Sequence, residues 1–348
     1  MTRVRAIVLI ALISAVFPVL FGGLPACRRK GSDDFAALRQ AIFEAEDFRA
    51  QDAFSLKILI DALPRDDAGI RRTAVRALGR LVRPELAERI APLLNDAFAG
   101  VRAEAANALA QCVAELKPAG PDFDQAAKDK AAINRIFGLL EARIKIEADP
   151  VTRGVLFRTI GRLVYPDESA YRLAEKVFLP SAAEAAPARL SEVYGAAKGM
   201  EALFRRKPKP IQPDETLIVR LKSMALSKPA EGRSADAVED SARLRRLALM
   251  ALTWAGRLDE AMLEAALSDP DEQVRRLVFF GWGRTRTGAV SPDAGERLIG
   301  RGLADLSEPV RWEALRLLGR TRIDRLPSAA LMGLDDSSPH VALLAVDL

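Results

Sequence analysis

Few residues in this chain have the side chains that catalysis or metal binding requires. His340 is the sole histidine, and Cys27 and Cys112 are the only cysteines. A tetrahedral zinc site draws three or four ligands mainly from Cys and His. A Ser-His-Asp triad needs an imidazole between nucleophile and carboxylate. This inventory supplies neither, and no disulfide framework either. His340 precedes a helical pattern and reads as a surface or capping residue. Asp66/Asp67 and Asp335/Asp336 recur at one place in a repeated pattern, where a carboxylate caps free helix N–H groups, so they read as caps and not as an acid and base pair. Gly79, Gly161, Gly283 and Gly319 stand singly, as expected of left-handed helix caps, and no glycine-rich phosphate loop is present. What remains is a series of arginines, Arg71, Arg102, Arg153, Arg275 and Arg311. Such a series could grip anions. Its regular placement points instead to a structural ladder, each arginine pairing with a neighbouring repeat's Asp. The residues therefore predict no catalytic set, no metal site and no cofactor.

The elements that position those arginines follow from the repeat. The template runs Asp66-Asp67-Ala68-Gly69-Ile70-Arg71-Arg72-Thr73-Ala74-Val75-Arg76-Ala77-Leu78-Gly79-Arg80. It returns at Asp96 with Val101-Arg102, at Asp149-Pro150 with Arg153, at Asp269-Pro270 with Val274-Arg275, and at Glu308-Pro309 with Val310-Arg311. A weaker copy carries Arg245, Ala248 and Leu252. Pro suits the first helical turn, where its missing N–H costs nothing. Val or Ile, then Ala four residues on, then Leu four further, form one apolar stripe, and the small Ala admits a close neighbour. The arginine after the late glycine suits the negative end of the helix dipole. A second apolar stretch follows several copies (Leu86–Leu94, Ala170–Phe178, Ala294–Leu303), so each unit is a helix pair. One pair cannot bury its apolar faces alone, and stacking completes the core. The fold class expected is all-α, an α-solenoid of about seven to eight stacked antiparallel helix pairs.

The pattern resembles the short bacterial form of the HEAT repeat, D-x-x-x-V-R-x-x-A-x-x-A-L-G, over roughly residues 35–348. Tetratricopeptide and ankyrin signatures are missing. The opening copy, Ala41 to Asp52, is similar to the start of exported bacterial HEAT proteins, some of which carry a cyclophilin-type peptidyl-prolyl isomerase domain after the repeats. That resemblance implies an alternative in which the repeats are the non-catalytic arm of a longer isomerase acting on exported proteins. No cyclophilin core motif occurs in these 348 residues.

The N-terminus carries an address. Arg3 and Arg5 precede an uncharged run from Ala6 to Leu20, the n-region and h-region of an export signal. Leu24-Pro25-Ala26-Cys27 follows and resembles the bacterial lipobox, with Pro25 where Ala or Ser is usual. Lipidation of Cys27 after cleavage would leave Cys112 as the only thiol, packed on an apolar helix face. Arg28 after that cysteine is compatible with outer-membrane sorting. A plain secretory signal and an uncleaved anchor are the other readings. Losing Arg3 and Arg5 lowers the formal charge from +5 to +3. Charges of both signs are interspersed, with no polybasic patch for nucleic acid.

These signals divide the chain into a lipoprotein signal peptide (1–26), a tether (27–34), a front section of repeats (35–206), a Pro-rich and polar insertion (207–240) and a back section (241–348). The last copy begins at Leu334 and stops two helical turns later, at Leu348, where a solenoid usually has a capping surface. That is the expectation for a piece of a longer protein. Trp312 stands just after its ladder arginine, at a solvent-facing place. It is either an anchor for a partner or a packing residue against the adjacent repeat. Trp282 and Trp254 read as core. The function expected is a membrane-tethered, non-catalytic scaffold for a protein or peptide partner outside the cytoplasm. It would have no nucleic acid and no small-molecule substrate as partner.

Overall fold

The computed structural model describes residues 30–50, 52–180, 190–207, 211–227, 234–284, 290–321, 331 and 333–347. Cys27 and the signal segment lie outside them. Among the described residues there are helices and no strands. In chain order they are α1 (Lys30–Asp47), α2 (Ala53–Asp61), α3 (Ala68–Arg80), α4 (Ala87–Ile90), α5 (Ala99–Cys112), α6 (Phe123–Ile146), α7 (Pro150–Arg162), α8 (Glu168–Phe178), α9 (Leu190–Arg205), α10 (Glu215–Ala225), α11 (Ala235–Ala255), α12 (Glu260–Ala266), α13 (Glu272–Trp282), α14 (Pro292–Leu303), α15 (Glu308–Thr321) and α16 (Pro339–Val346). Short 3-10 turns flank α4, so the partner of α5 is a broken helix over 84–95.

The helices form two rows. The first row runs α1, α3, α5, α7, α9, α11, α13, α15, α16, each packed on the next. The second row consists of α2, the 84–95 segment, α6, α8, α10, α12 and α14, each joined to the first-row helices beside it in the chain. The chain is thus an all-α solenoid of antiparallel pairs. The main core is a continuous cluster from Ile42 to Ala345, as stacking demands, and Val193, Ala197 and Leu244 form a small second cluster between α9 and α11.

Local chemistry sets the helix starts. Asp67 accepts a bond from Ile70 N at 2.8 Å, Asp149 from Thr152 N at 2.8 Å and Asp271 from Val274 N at 2.9 Å. Pro150 and Pro292 occupy first-turn positions. On α3 the stripe of Ile70, Ala74 and Leu78 is fully buried, and on α8 Tyr171, Ala174 and Phe178 form the equivalent face.

Several expectations need correcting. Gly79, Gly161 and Gly319 are not caps but lie inside α3, α7 and α15, and Gly283 ends α13 at φ −60°. The left-handed cap is Gly256, at φ 70°, closing α11. The 207–240 segment is not a plain insertion either. It supplies α10, whose Leu217, Ile218 and Leu221 are fully buried, and the first residues of α11. The first row continues directly from α9 to α11 alongside it. The expected tether also overlaps α1, which begins at Lys30.

Candidate functional site

Two kinds of joint hold the first row together, and the candidate site lies where one gives way to the other. The common joint is built on the arginine series. Arg71 grips Asp96 with both faces of its fork, Nε to Oδ2 at 2.7 Å and Nη2 to Oδ1 at 2.8 Å. Its Nη1 donates to the Arg65 and Asp66 carbonyls. Arg275 takes Asp305 in the same way at 2.7 and 2.9 Å, and Arg311 takes Asp336 at 2.7 and 2.9 Å. Each arginine therefore ties the loop before its own helix to the loop before the next. The aspartate also accepts the N–H two residues on, as Asp305 does from Ser307. Asp335 and Asp336 are therefore not the caps expected: α16 starts after Ser338 without a side-chain cap, and Asp336 instead holds Arg311 and the Ser338 N–H.

One member of the series follows a variation that spacing did not reveal, and Arg245, outside the series, makes the same joint. Arg102 pairs with Glu147 at 2.8 and 2.7 Å, not with the more obvious Asp149. Arg245, in the weakest sequence copy, is the most buried of the arginines in this joint and holds Asp269 at 2.6 and 3.0 Å. Planar bidentate pairing of this kind is specific to arginine. Asp96 is held below the ordinary carboxylate value by the Arg71 hydrogen bond, which outweighs burial. At Glu147 burial pushes the carboxyl up. The Arg102 and Arg143 bonds and the Asp149 N–H overcome it and hold the group down to about 2.

Arg153 departs from the pattern. It donates to the carbonyls of Ile144 and Glu147 at 2.6 and 3.2 Å and meets Glu192 through a single 3.2 Å contact. Glu192 lies within α9, not in the loop before it. Here the second kind of joint takes over. A Cβ on Gly161 would stand 2.0 Å from the Gly199 carbonyl oxygen, and one on Gly195 would stand 2.1 Å from that of Gly154. A Cβ on Gly154 would meet the Ser191 oxygen at 2.3 Å. Helices α7 and α9 touch backbone to backbone, a close approach that only glycine permits.

A trough of about 560 Å³ crosses α7, α9 and α11 at this point, within the size range of ligand clefts. Gly154 and Gly195 leave its floor without side chains, and Val151, Val155, Tyr194 and Leu247 supply apolar surface. Arg158, Lys198, Arg243 and Arg246 supply charge. Lys198 pairs with Glu201 at 2.9 Å, and Arg246 is held by Asp271 and Glu239. Its guanidinium is pushed up chiefly by the Asp271 bond. Arg158 and Arg243 are exposed, and neither pairs with a carboxylate among the described residues. Arg243 lies 5.4 Å from the centroid of the Tyr194 ring. Tyr194 is fixed in turn by its hydroxyl, which donates to the backbone oxygen of Asp240.

The remaining sequence candidates lie elsewhere. Trp312 is half exposed on α15, with the Arg316 guanidinium 5.6 Å from its ring centroid. Trp254 and Trp282 pack against the core. Cys112 is buried, and burial pushes its thiol up to about 12. His340 is exposed in the first turn of α16. Among the described residues no cluster of three or more His, Cys, Asp or Glu could hold a metal, and no helix is long and apolar enough to cross a membrane. Sequence reading missed Arg158, Arg243 and the glycine seam. The Gly195-x-x-x-Gly199 spacing was the visible signal, but its meaning depended on Gly154 and Gly161 lying opposite.

Residues 56–130 match the family profile described as HEAT repeats. Among curated proteins, none matches this sequence. Similar solved structures include an engineered protein of the Northeast Structural Genomics Consortium, at 15% identity and TM-score 0.36, with 88% of this chain and 93% of that chain covered. They also include Kap121p bound to Ste12p, at 14% identity and TM-score 0.40, with 84% of this chain and 36% of that chain covered. This chain thus spans about a third of Kap121p.

Proposed function

We propose that this chain is a membrane-tethered helical-repeat scaffold that binds another protein outside the cytoplasm without catalysing a reaction. The observation that supports binding is the trough across α7, α9 and α11, which joins an apolar floor to two exposed cations that have no carboxylate partner among the described residues. Unneutralised charge beside apolar surface is a feature of recognition sites. The address rests on sequence: Arg3 and Arg5, the apolar run that follows, and Leu24-Pro25-Ala26-Cys27, which resembles a lipobox. Trp312 offers a second contact on the same row, since a half-exposed Trp makes a strong anchor.

The test joins address and binding. Fractionation of the source cells should place the chain with membranes, and Cys27→Ser should release it or leave it unprocessed. A photo-crosslinker at Val151, on the trough rim, should capture a discrete protein, whereas one at Leu173, exposed on α8, should not. A cytosolic chain untouched by Cys27→Ser, or equal capture at both positions, would overturn the reading.

A further inference from the structure

We propose that the trough takes an extended acidic peptide segment in which an aliphatic or aromatic residue lies between carboxylates. This deepens the scaffold reading and rests on it. The trough spans three helices of one row. Neighbouring helix axes lie about 8–10 Å apart, so its length suits roughly six extended residues at about 3.3 Å each.

Charge selects the occupant. Arg158 stands on α7 and Arg243 on α11, one on each side of α9. Both are exposed, and neither has a carboxylate partner among the described residues. The other arginines of this stretch of the row are engaged: Arg153 with carbonyls and Glu192, Arg245 with Asp269, and Arg246 with Asp271 and Glu239. Two free guanidiniums at the walls suit two carboxylates, which they can take side-on. Between them Val151, Val155, Tyr194 and Leu247 form an apolar strip over side-chain-free glycine backbone. Tyr194 is held by Asp240 and flanked by Arg243, so its ring is already placed for a side chain to rest on. A basic peptide would meet like charge at both walls, and a neutral one would leave both cations unanswered. A simple anion would need only one wall and would ignore the strip.

The experiment uses the full chain and a fluorescein-labelled twelve-residue peptide with a Glu-Asp-Leu-Glu-Asp centre. Fluorescence anisotropy is read against the same peptide with Gln and Asn replacing the acids, and against one with Ser replacing Leu. The acidic peptide should bind at least tenfold more tightly than the neutral one and severalfold more tightly than the Ser peptide. Arg158→Glu/Arg243→Glu should weaken it at least tenfold. The control Arg135→Glu/Arg297→Glu, which changes net charge equally on exposed positions away from the trough, should change it less than twofold. Circular dichroism melts keep the comparison to folded protein. Equal binding of acidic and neutral peptides, equal weakening by both double variants, or full displacement by millimolar inorganic phosphate with no dependence on Leu would each overturn the proposal. So would crosslinking of the cellular partner at Val151 that survives Arg158→Glu/Arg243→Glu unchanged. That last result would leave the scaffold reading standing.

Discussion

The stack of α11, α13 and α15 and the crossing of α7 with α9 solve one problem in opposite ways. In the first, helices of the same row are joined at their N-terminal loops by Arg245 to Asp269 and Arg275 to Asp305, each a two-bonded pair. In the second, Arg153 meets a carboxylate through one contact only, and the glycines let the backbones meet instead. The ladder arginines of the first region are neutralised by their aspartates, while Arg284 and Arg320 beside them are exposed and pair with no carboxylate among the described residues. The glycine crossing removes side chains, and Arg158 and Arg243 beside it pair with no carboxylate among the described residues. A repeat protein can thus create a site by locally suspending the interaction that its repeats otherwise share.

The comparison is broken most severely by filling the crossing. Gly161→Leu places four carbons where even a Cβ would lie 2.0 Å from a carbonyl oxygen. Overpacking typically costs about 1–3 kcal/mol and sometimes more. Here backbone blocks the space and no side chain can swing away, so a loss above ~3 kcal/mol and a broadened melt are expected in calorimetry. A melt within a degree of the parent would show that the helices do not touch.

The ladder is tested next by Arg245→Ala. Arg245 is only 1% exposed, and its removal strands Asp269. Breaking a buried pair from one side costs about 3–5 kcal/mol. Urea unfolding should show a loss near the lower end of that range, because Asp269 keeps its bond from the Asp271 N–H. Arg311→Ala should cost less than Arg245→Ala, since its guanidinium is the more exposed. The reverse order would mean that burial does not set the strength of these joints.

Acid sharpens the contrast. Glu147 is depressed from an ordinary 4.5 to about 2 when folded. A depressed carboxyl contributes stability that is fully present above its unfolded value and is lost as pH falls through its folded value. Stability should therefore drop between about pH 4.5 and 2 by an amount on the order of a few kcal/mol. Glu147→Gln should be less stable near neutrality and show a shallower acid slope. An unchanged slope would assign the acid sensitivity to other carboxylates.

The smallest effect has the opposite sign. Gly300, inside α14, has open space where a Cβ would go. Gly300→Ala should raise stability by about 0.5–1 kcal/mol, the ordinary helical preference for alanine. The same change at Gly154 should be destabilising, because the added Cβ would meet the Ser191 oxygen. If both changes had the same sign, the glycine seam would be a matter of composition and not of contact.

The helix pairs were legible because their causes are local. Asp67 and Asp149 cap their own helices three residues on, and Ile70, Ala74 and Leu78 share a face by helical period alone, whereas α13 is capped by Asp271 and not by the Asp269 of the repeat. Much of the arginine series was legible too, because identical repeats stacked in register must repeat their contacts. The partner at Glu147 was not, since Asp149 matched the copies better and only the loop's path puts Glu147 against Arg102. The glycine roles were misread for a related reason. A glycine that caps and a glycine that admits a neighbour look alike in sequence, and they differ only in φ and in what lies opposite.

By itself, then, the sequence determined the all-α class, the pairing of helices, several N-terminal caps and the apolar stripes. Those features depend on residues within one or two turns of each other, where spacing and geometry are the same thing. The tertiary structure alone decided which acid each arginine meets, which glycines lie at a crossing, and which cations are left unpaired. Each of these depends on what stands across a helix–helix boundary, 24 to 45 residues away along the chain for the paired arginines. The trough exists because those boundaries are not all alike, a property of the assembled row that no single repeat contains.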